Sequence, residues 1–156
     1  MKHTAFIKTT LGLMGISEMN GFITELFFAK DAREPLGGQK TPLLEKAEKQ
    51  IRGYLSGTSR AFDLPLAVQG TEFQRAVWEA LGRIPYGETR SYKQVAEMIG
   101  RPDASRAVGM ANYKNPILIL TPCHRVIGSD GKLTGYAAGL EVKEQLLELE
   151  RTHAGR

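Results

Sequence analysis

Ser91-Tyr92-Lys93-Gln94-Val95-Ala96-Glu97-Met98-Ile99-Gly100-Arg101-Pro102-Asp103-Ala104-Ser105-Arg106-Ala107-Val108-Gly109-Met110-Ala111-Asn112 reads as two short helices separated by a turn. Tyr92, Val95, Ala96 and Ile99 recur at helical spacing, so a helix from Ser91 to about Ile99 has an apolar face, and Gly100 supplies its stop. Arg101-Pro102-Asp103 makes the turn. A second helix then runs from Ala104 to about Asn112, and its small residues Ala104, Ala107, Gly109 and Ala111 allow close packing or close approach to a partner backbone.

Two short helices so joined have the outline of a helix-turn-helix, which suggests DNA binding but occurs in many helical cores as well. Upstream, Thr71 and Gln74 have the spacing of a capping box, and Phe73, Val77, Trp78 and Leu81 form the inner face of the helix that follows. Ile84-Pro85-Tyr86-Gly87 ends it. Residues 56 to 70, with Gly57, Pro65 and Gly70, show no helical period and read as a linker. Before the linker, Thr41 caps a helix that begins at Pro42, carries Leu44, Ala47, Ile51, Tyr54 and Leu55 on one face, and stops near Gly57. Residues 31 to 40 read as a loop, and residues 4 to 29 as short antiparallel strands with a tight turn at Asn20-Gly21.

Downstream, Asn115 precedes a proline and is biased away from helix, so the chain turns into the apolar run Ile117-Leu118-Ile119-Leu120, read as a buried strand that delivers Cys123. Gly128-Ser129-Asp130-Gly131 is a turn, and a last helix spans about Glu141 to Arg151, with a loose tail after Thr152. Lys143, Leu147 and Glu150 share one face of it, and Val142, Leu146 and Leu149 a neighbouring one. The fold class expected is α+β. A small N-terminal α/β domain (1–68), a short antiparallel sheet plus a helix, precedes a mostly helical C-terminal domain (69–156) with a winged helix-turn-helix-like DNA-binding unit.

A composition of 42% hydrophobic and 24% charged residues is ordinary for a soluble globular chain, and 156 residues hold one domain or two small ones. The net charge of +4 favours polyanionic partners but is too mild to demonstrate them. A single cysteine excludes an internal disulfide, and His3, His124 and His153 with that cysteine make a poor metal set, so no metal and no cofactor are expected. Lys8 interrupts the start as a signal peptide and no stretch nears the roughly 18 apolar residues of a membrane span, so the expectation is a cytoplasmic protein with no membrane partner.

A free cysteine is most often a small buried hydrophobe. Cys123, however, follows Pro122 and precedes His124 and Arg125, two basic side chains that favour thiolate over thiol. An ordinary thiol, with a pKa of about 8.5, is roughly 3% thiolate at pH 7, so a two-unit drop would raise the reactive fraction about twentyfold. In an extended segment neighbouring side chains point to opposite faces, so His124 would act through a bridging water. Taken alone, it reads equally well as a satisfied structural histidine.

Asn115-Pro116-Ile117 leading to Pro122-Cys123-His124-Arg125-Val126-Ile127 resembles the signature of the O6-alkylguanine-DNA alkyltransferases, also called methylated-DNA-protein-cysteine methyltransferases. The resemblance extends through Phe73-Gln74, Val77-Trp78, Ile84-Pro85-Tyr86-Gly87, Ser91-Tyr92, Ser105-Arg106-Ala107-Val108-Gly109, Gly135-Tyr136, Gly139-Leu140, Lys143-Glu144 and Glu150. It implies a protein that binds double-stranded DNA containing O6-alkylguanine, rotates the damaged base out of the duplex, and accepts the alkyl group on Cys123 in a single, irreversible turnover. O4-alkylthymine is a further candidate substrate, and a monomer is expected.

The resemblance also implies roles. Cys123 is the nucleophile; His124 takes its proton through water; Glu150 orients His124; Tyr92 protonates or hydrogen-bonds the leaving base; Asn115 fixes the turn before the nucleophile. Arg106 fills the space left in the base stack, while Ala107 and Gly109 let their helix lie close to DNA, with Tyr92 and Arg125 counted at the same interface. Arg125 also ties the nucleophile loop to the core. Pro122, Tyr136 and Ala137 line the base pocket. Ala137 stands where relatives often carry serine or a larger residue, which leaves room for adducts larger than methyl. Two rivals are a binding module, from which the intact Cys123 argues away, and a cysteine hydrolase, which would need an oxyanion arrangement that the sequence does not display.

Overall fold

The computed structural model describes residues 1–29, the backbone of 37–38, and 40–155. Met1–Val68 together with Pro116–Leu120 form one compact unit, and Gln69–Asn115 together with Thr121–Arg156 form another.

The first unit is built on strands β1 (Lys2–Thr9), β2 (Gly12–Met19) and β3 (Phe22–Phe28), with the two-residue β4 (Gly37–Gly38), in the antiparallel order β3-β2-β1-β4. The expected hairpin turn is present: Asn20 and Gly21 both have positive φ, 54° and 83°, the backbone that matches the twist of two paired strands. Helix α1 (Pro42–Leu55) is capped by Thr41, whose hydroxyl accepts from the Leu44 N–H, and it buries Leu44, Ala47, Ile51 and Tyr54. Those four join Ala5, Ile7, Met14, Ile16, Ile23 and Leu26 in an apolar core. Gly15 is required there, because a Cβ would lie 2.3 Å from the ring of Phe27. Of the loop expected over 31–40, residues 31–36 and 39 lie outside the described residues, and Gly37–Gly38 form β4.

The buried strand expected at 117–120 does not form. Ile117 and Leu118 make a short bridge to Leu26, the Leu26 N–H donating to Pro116 O and the Leu118 N–H to Leu26 O. Ile119 then adopts φ +70° and reverses the chain. The run is apolar because it is buried, and burial alone does not specify extension. A branched side chain in the left-handed region costs about 1–2 kcal/mol, which the surrounding packing sustains.

In the second unit, α2 (Glu72–Leu81), α3 (Tyr92–Met98) and α4 (Ser105–Tyr113) pack on one another. Reciprocal capping boxes begin α2 (Thr71 with Gln74) and α3 (Ser91 with Gln94). The Trp78 indole donates to Ala111 O at 2.8 Å and fastens α2 to α4. The wing is reduced to a parallel pair, β5 (Arg90–Ser91) with β6 (Val126–Ile127), followed by the 128–131 turn. The final helix α5 runs Leu140–Ala154, past the expected end, because no breaker occurs before Gly155; the loose tail expected from Thr152 is helical up to that point.

Candidate active site

Cys123 opens a single 3-10 turn, Cys123–Arg125, rather than ending a strand, and Pro122 precedes it as the cap. The turn places three consecutive side chains in the interior: Cys123 is 1% exposed, His124 0% and Arg125 7%. Asn115 secures the approach, its carboxamide donating to Thr121 O at 2.8 Å and hydrogen-bonding the Cys123 thiol. Asn112, on α4, donates to Cys123 O at 3.3 Å.

Around Glu150, on α5, the polar groups converge. Its Oε2 is 2.7 Å from His124 Nε2 and accepts from Arg125 Nη2 at 3.0 Å. Its Oε1 accepts from Arg125 Nε at 2.8 Å and from the Gly87 N–H at 3.0 Å. Burial alone would raise this carboxyl, but the bonds from His124 and Arg125 outweigh it and hold the group down at about 2. Glu150 is therefore ionised whenever the protein is folded near neutrality. Burial lowers His124, against the pull of Glu150, so the imidazole is neutral at pH 7 and competent as a base.

The thiol behaves opposite to the sequence expectation. Burial pushes Cys123 up to about 11, more than the Asn115 hydrogen bond and the Lys143 charge can offset, and neither His124 nor Arg125 stabilises the thiolate. The reason is geometric: both basic side chains are committed to Glu150, and desolvation dominates in a dry site. Arg125 also donates to Ile84 O at 2.6 Å and lies 5.7 Å over the Tyr86 ring, so its assignment to the DNA interface is corrected, and it is an internal brace.

Lys143 is a residue of this site to which the sequence assigned no role. It is fully buried on α5, its ammonium donates to Thr134 O at 2.6 Å, and burial lowers it to about 8, against the charge of Cys123. A lysine seven residues before Glu150 falls two turns away on the same helical stripe, which is the signal that could have found it. The same Thr134 carbonyl accepts from the Tyr92 hydroxyl at 3.2 Å, and Thr134 Oγ1 donates to that hydroxyl at 2.8 Å. Burial raises Tyr92, and raises Tyr136 well above 10, and each also feels the charge of Cys123. Tyr136 is buried with its hydroxyl unpartnered among the described residues. Cys123, Asn115, Tyr92, Tyr136 and Lys143 thus form one electrostatic neighbourhood.

The remaining predicted residues divide. Arg106 and Ala107 are exposed on α4, and Ala137 is exposed on the loop beside Tyr136. Gly109 is half-buried, and a Cβ on it would lie 3.7 Å from the Tyr92 ring, an ordinary contact distance. No group of three or more metal-ligating side chains occurs among the described residues, and no helix among them is long and apolar enough to cross a membrane.

Residues 72–152 match the model of the 6-O-methylguanine DNA methyltransferase DNA-binding domain. A methylated-DNA-protein-cysteine methyltransferase of Methanosarcina barkeri is 61% identical over 108 residues, covering 69% of this chain and 68% of its own. One of Mycolicibacterium paratuberculosis is 47% identical over 151 residues, covering 95% and 92%. The crystal structure of Mycobacterium tuberculosis O6-methylguanine methyltransferase superposes with a TM-score of 0.88 at 43% identity, covering 98% of this chain and 94% of that one. The structure of the same organism's protein in complex with DNA gives 0.87 at the same identity, covering 96% and 93%.

Proposed function

Since the chain belongs to the O6-methylguanine DNA methyltransferase family, we propose that it repairs DNA by moving the alkyl group of an extruded O6-alkylguanine onto Cys123. One observation carries this: the imidazole next to the buried cysteine is held at 2.7 Å by a carboxylate that stays ionised. That is the nucleophile, base and orienter of covalent catalysis.

The thiol's height decides how the step runs. Burial pushes Cys123 up to about 11, so the sulfur rests as a thiol near neutrality rather than as a stored thiolate. Instead the proton leaves as the bond forms. Nε2 of His124 is engaged by Glu150, so Nδ1 receives the thiol proton, through a water. Sulfur bonds to the alkyl carbon as the carbon–O6 bond breaks, and the electron pair departs with guanine. Tyr92 supplies a proton to the leaving base and is reprotonated at the expense of the His124 imidazolium, through solvent, so the sum is thiol plus O6-alkylguanine giving thioether plus guanine. Lys143 offsets negative charge on sulfur while it lasts.

A thioether has no good leaving group, so each molecule reacts once and no cofactor takes part. Arg106 and Ala107 on α4 face the duplex, a single copy suffices, and a reducing compartment such as the cytoplasm suits the free thiol. Exposed Ala137 leaves space for adducts larger than methyl, and benzylguanine and methylguanine should then react at comparable rates. The test is intact-protein mass spectrometry after incubation with a duplex containing O6-methylguanine. We expect a single added methylene mass, mapped to Cys123, stoichiometric and absent in Cys123→Ser. Sustained turnover, or methyl found elsewhere, would overturn the proposal.

A further inference from the structure

Met110 and Tyr113 are 58% and 51% exposed on α4, where large apolar side chains ordinarily turn inward. At about 100° per residue, Arg106, Met110 and Tyr113 fall within roughly 60° of one another, with Lys114 and Ala107 bordering them. A Cβ on Gly135 would lie 3.9 Å from the Tyr113 ring, so the strip continues onto the loop that carries Tyr136. Met110 and Tyr113 are the exposed large apolar side chains of the helix.

We propose that Met110 and Tyr113 form an apolar strip that packs against the deoxyribose and base edges of duplex DNA, gripping by contact area where Arg106 and Lys114 grip by charge. The occupant follows from the surroundings: cations border the strip, α4 contains no carboxylate, and the strip is continuous with Arg106 and Ala107. A partner rich in phosphate outside and apolar sugar and base edges inside fits both features. The inference rests on the DNA repair reading and adds to it a component of affinity that salt does not screen.

Salt dependence separates the two grips, because only neutralised phosphates release counterions. Binding to an undamaged duplex is measured across a range of salt concentrations. Met110→Gln combined with Tyr113→Gln should bind roughly tenfold more weakly at every concentration, with the wild-type slope. Arg106→Ala should flatten the slope by about 0.9. Met110→Leu combined with Tyr113→Phe keeps the apolar area and should keep wild-type affinity, and thermal midpoints verify that each variant is folded. If the glutamine pair binds like wild type, or flattens the slope, while Arg106→Ala weakens binding, the strip is refuted and the DNA reading stands. If neither the glutamine pair nor Arg106→Ala alters binding, α4 does not face DNA and the interface in the broader proposal falls as well.

Discussion

Helices α1 and α5 each turn one stripe inward, and the two stripes have opposite chemistry. In α1 the buried residues are Leu44, Ala47, Ile51 and Tyr54, and in α5 they are Lys143, Leu146 and Glu150. The first stripe removes apolar area from water and stabilises its unit by the ordinary hydrophobic term. The second takes two charges out of water, which costs stability unless each is fully bonded. Glu150 is satisfied by His124, Arg125 and Gly87, and Lys143 donates to Thr134 O. A helix that buries charge at positions where its counterpart buries hydrocarbon marks the reactive site.

The contrast is tested most severely at Glu150. Glu150→Leu should destabilise the protein by about 3–5 kcal/mol, because it strands the buried Arg125 guanidinium, and should cut alkyl transfer at least a hundredfold; urea melts and single-turnover rates read both. Glu150→Gln should retain more stability yet remain slow. In α1, Ile51→Ala should cost about 2–5 kcal/mol through the cavity it opens, with the transfer rate of the folded fraction within twofold of wild type. A larger rate loss would erase the distinction between the stripes.

Lys143→Met should show the reverse balance, with roughly tenfold slower transfer and stability equal or higher, since a desolvated ammonium is replaced by a chain of similar length. The pH dependence of stability follows from Glu150. Its carboxyl is depressed from 4.5 to about 2, so its stabilisation is complete above 4.5 and lost as pH falls through about 2. Urea midpoints measured down that range should fall in the wild type, and Glu150→Gln should lack this portion of the decline. The smallest effects belong to the caps: Thr41→Ala at α1 and Thr71→Ala at α2 should each cost about 1 kcal/mol without altering transfer.

Local chemistry made much of the architecture legible before any coordinates. Thr71 with Gln74, and Thr41 before Pro42, announce helix starts because the partners of a cap lie within three residues of it. Asn20-Gly21 announces its hairpin for the same reason. The run at 117–120 misled because hydrophobicity reports burial and not backbone direction, which Ile119 reverses.

Residue order alone supplied the inventory: capped helices, a turn between two of them, short antiparallel strands, and a cysteine followed by histidine and arginine. What those groups are chemically came from the folded chain. Folding gave Arg125 to Glu150 instead of to DNA, buried Lys143, and raised the thiol instead of lowering it. The reason is that a pKa and a salt-bridge partner are set by desolvation and by charges brought in from distant parts of the chain. Glu150, 26 residues beyond His124, reaches it only through the fold.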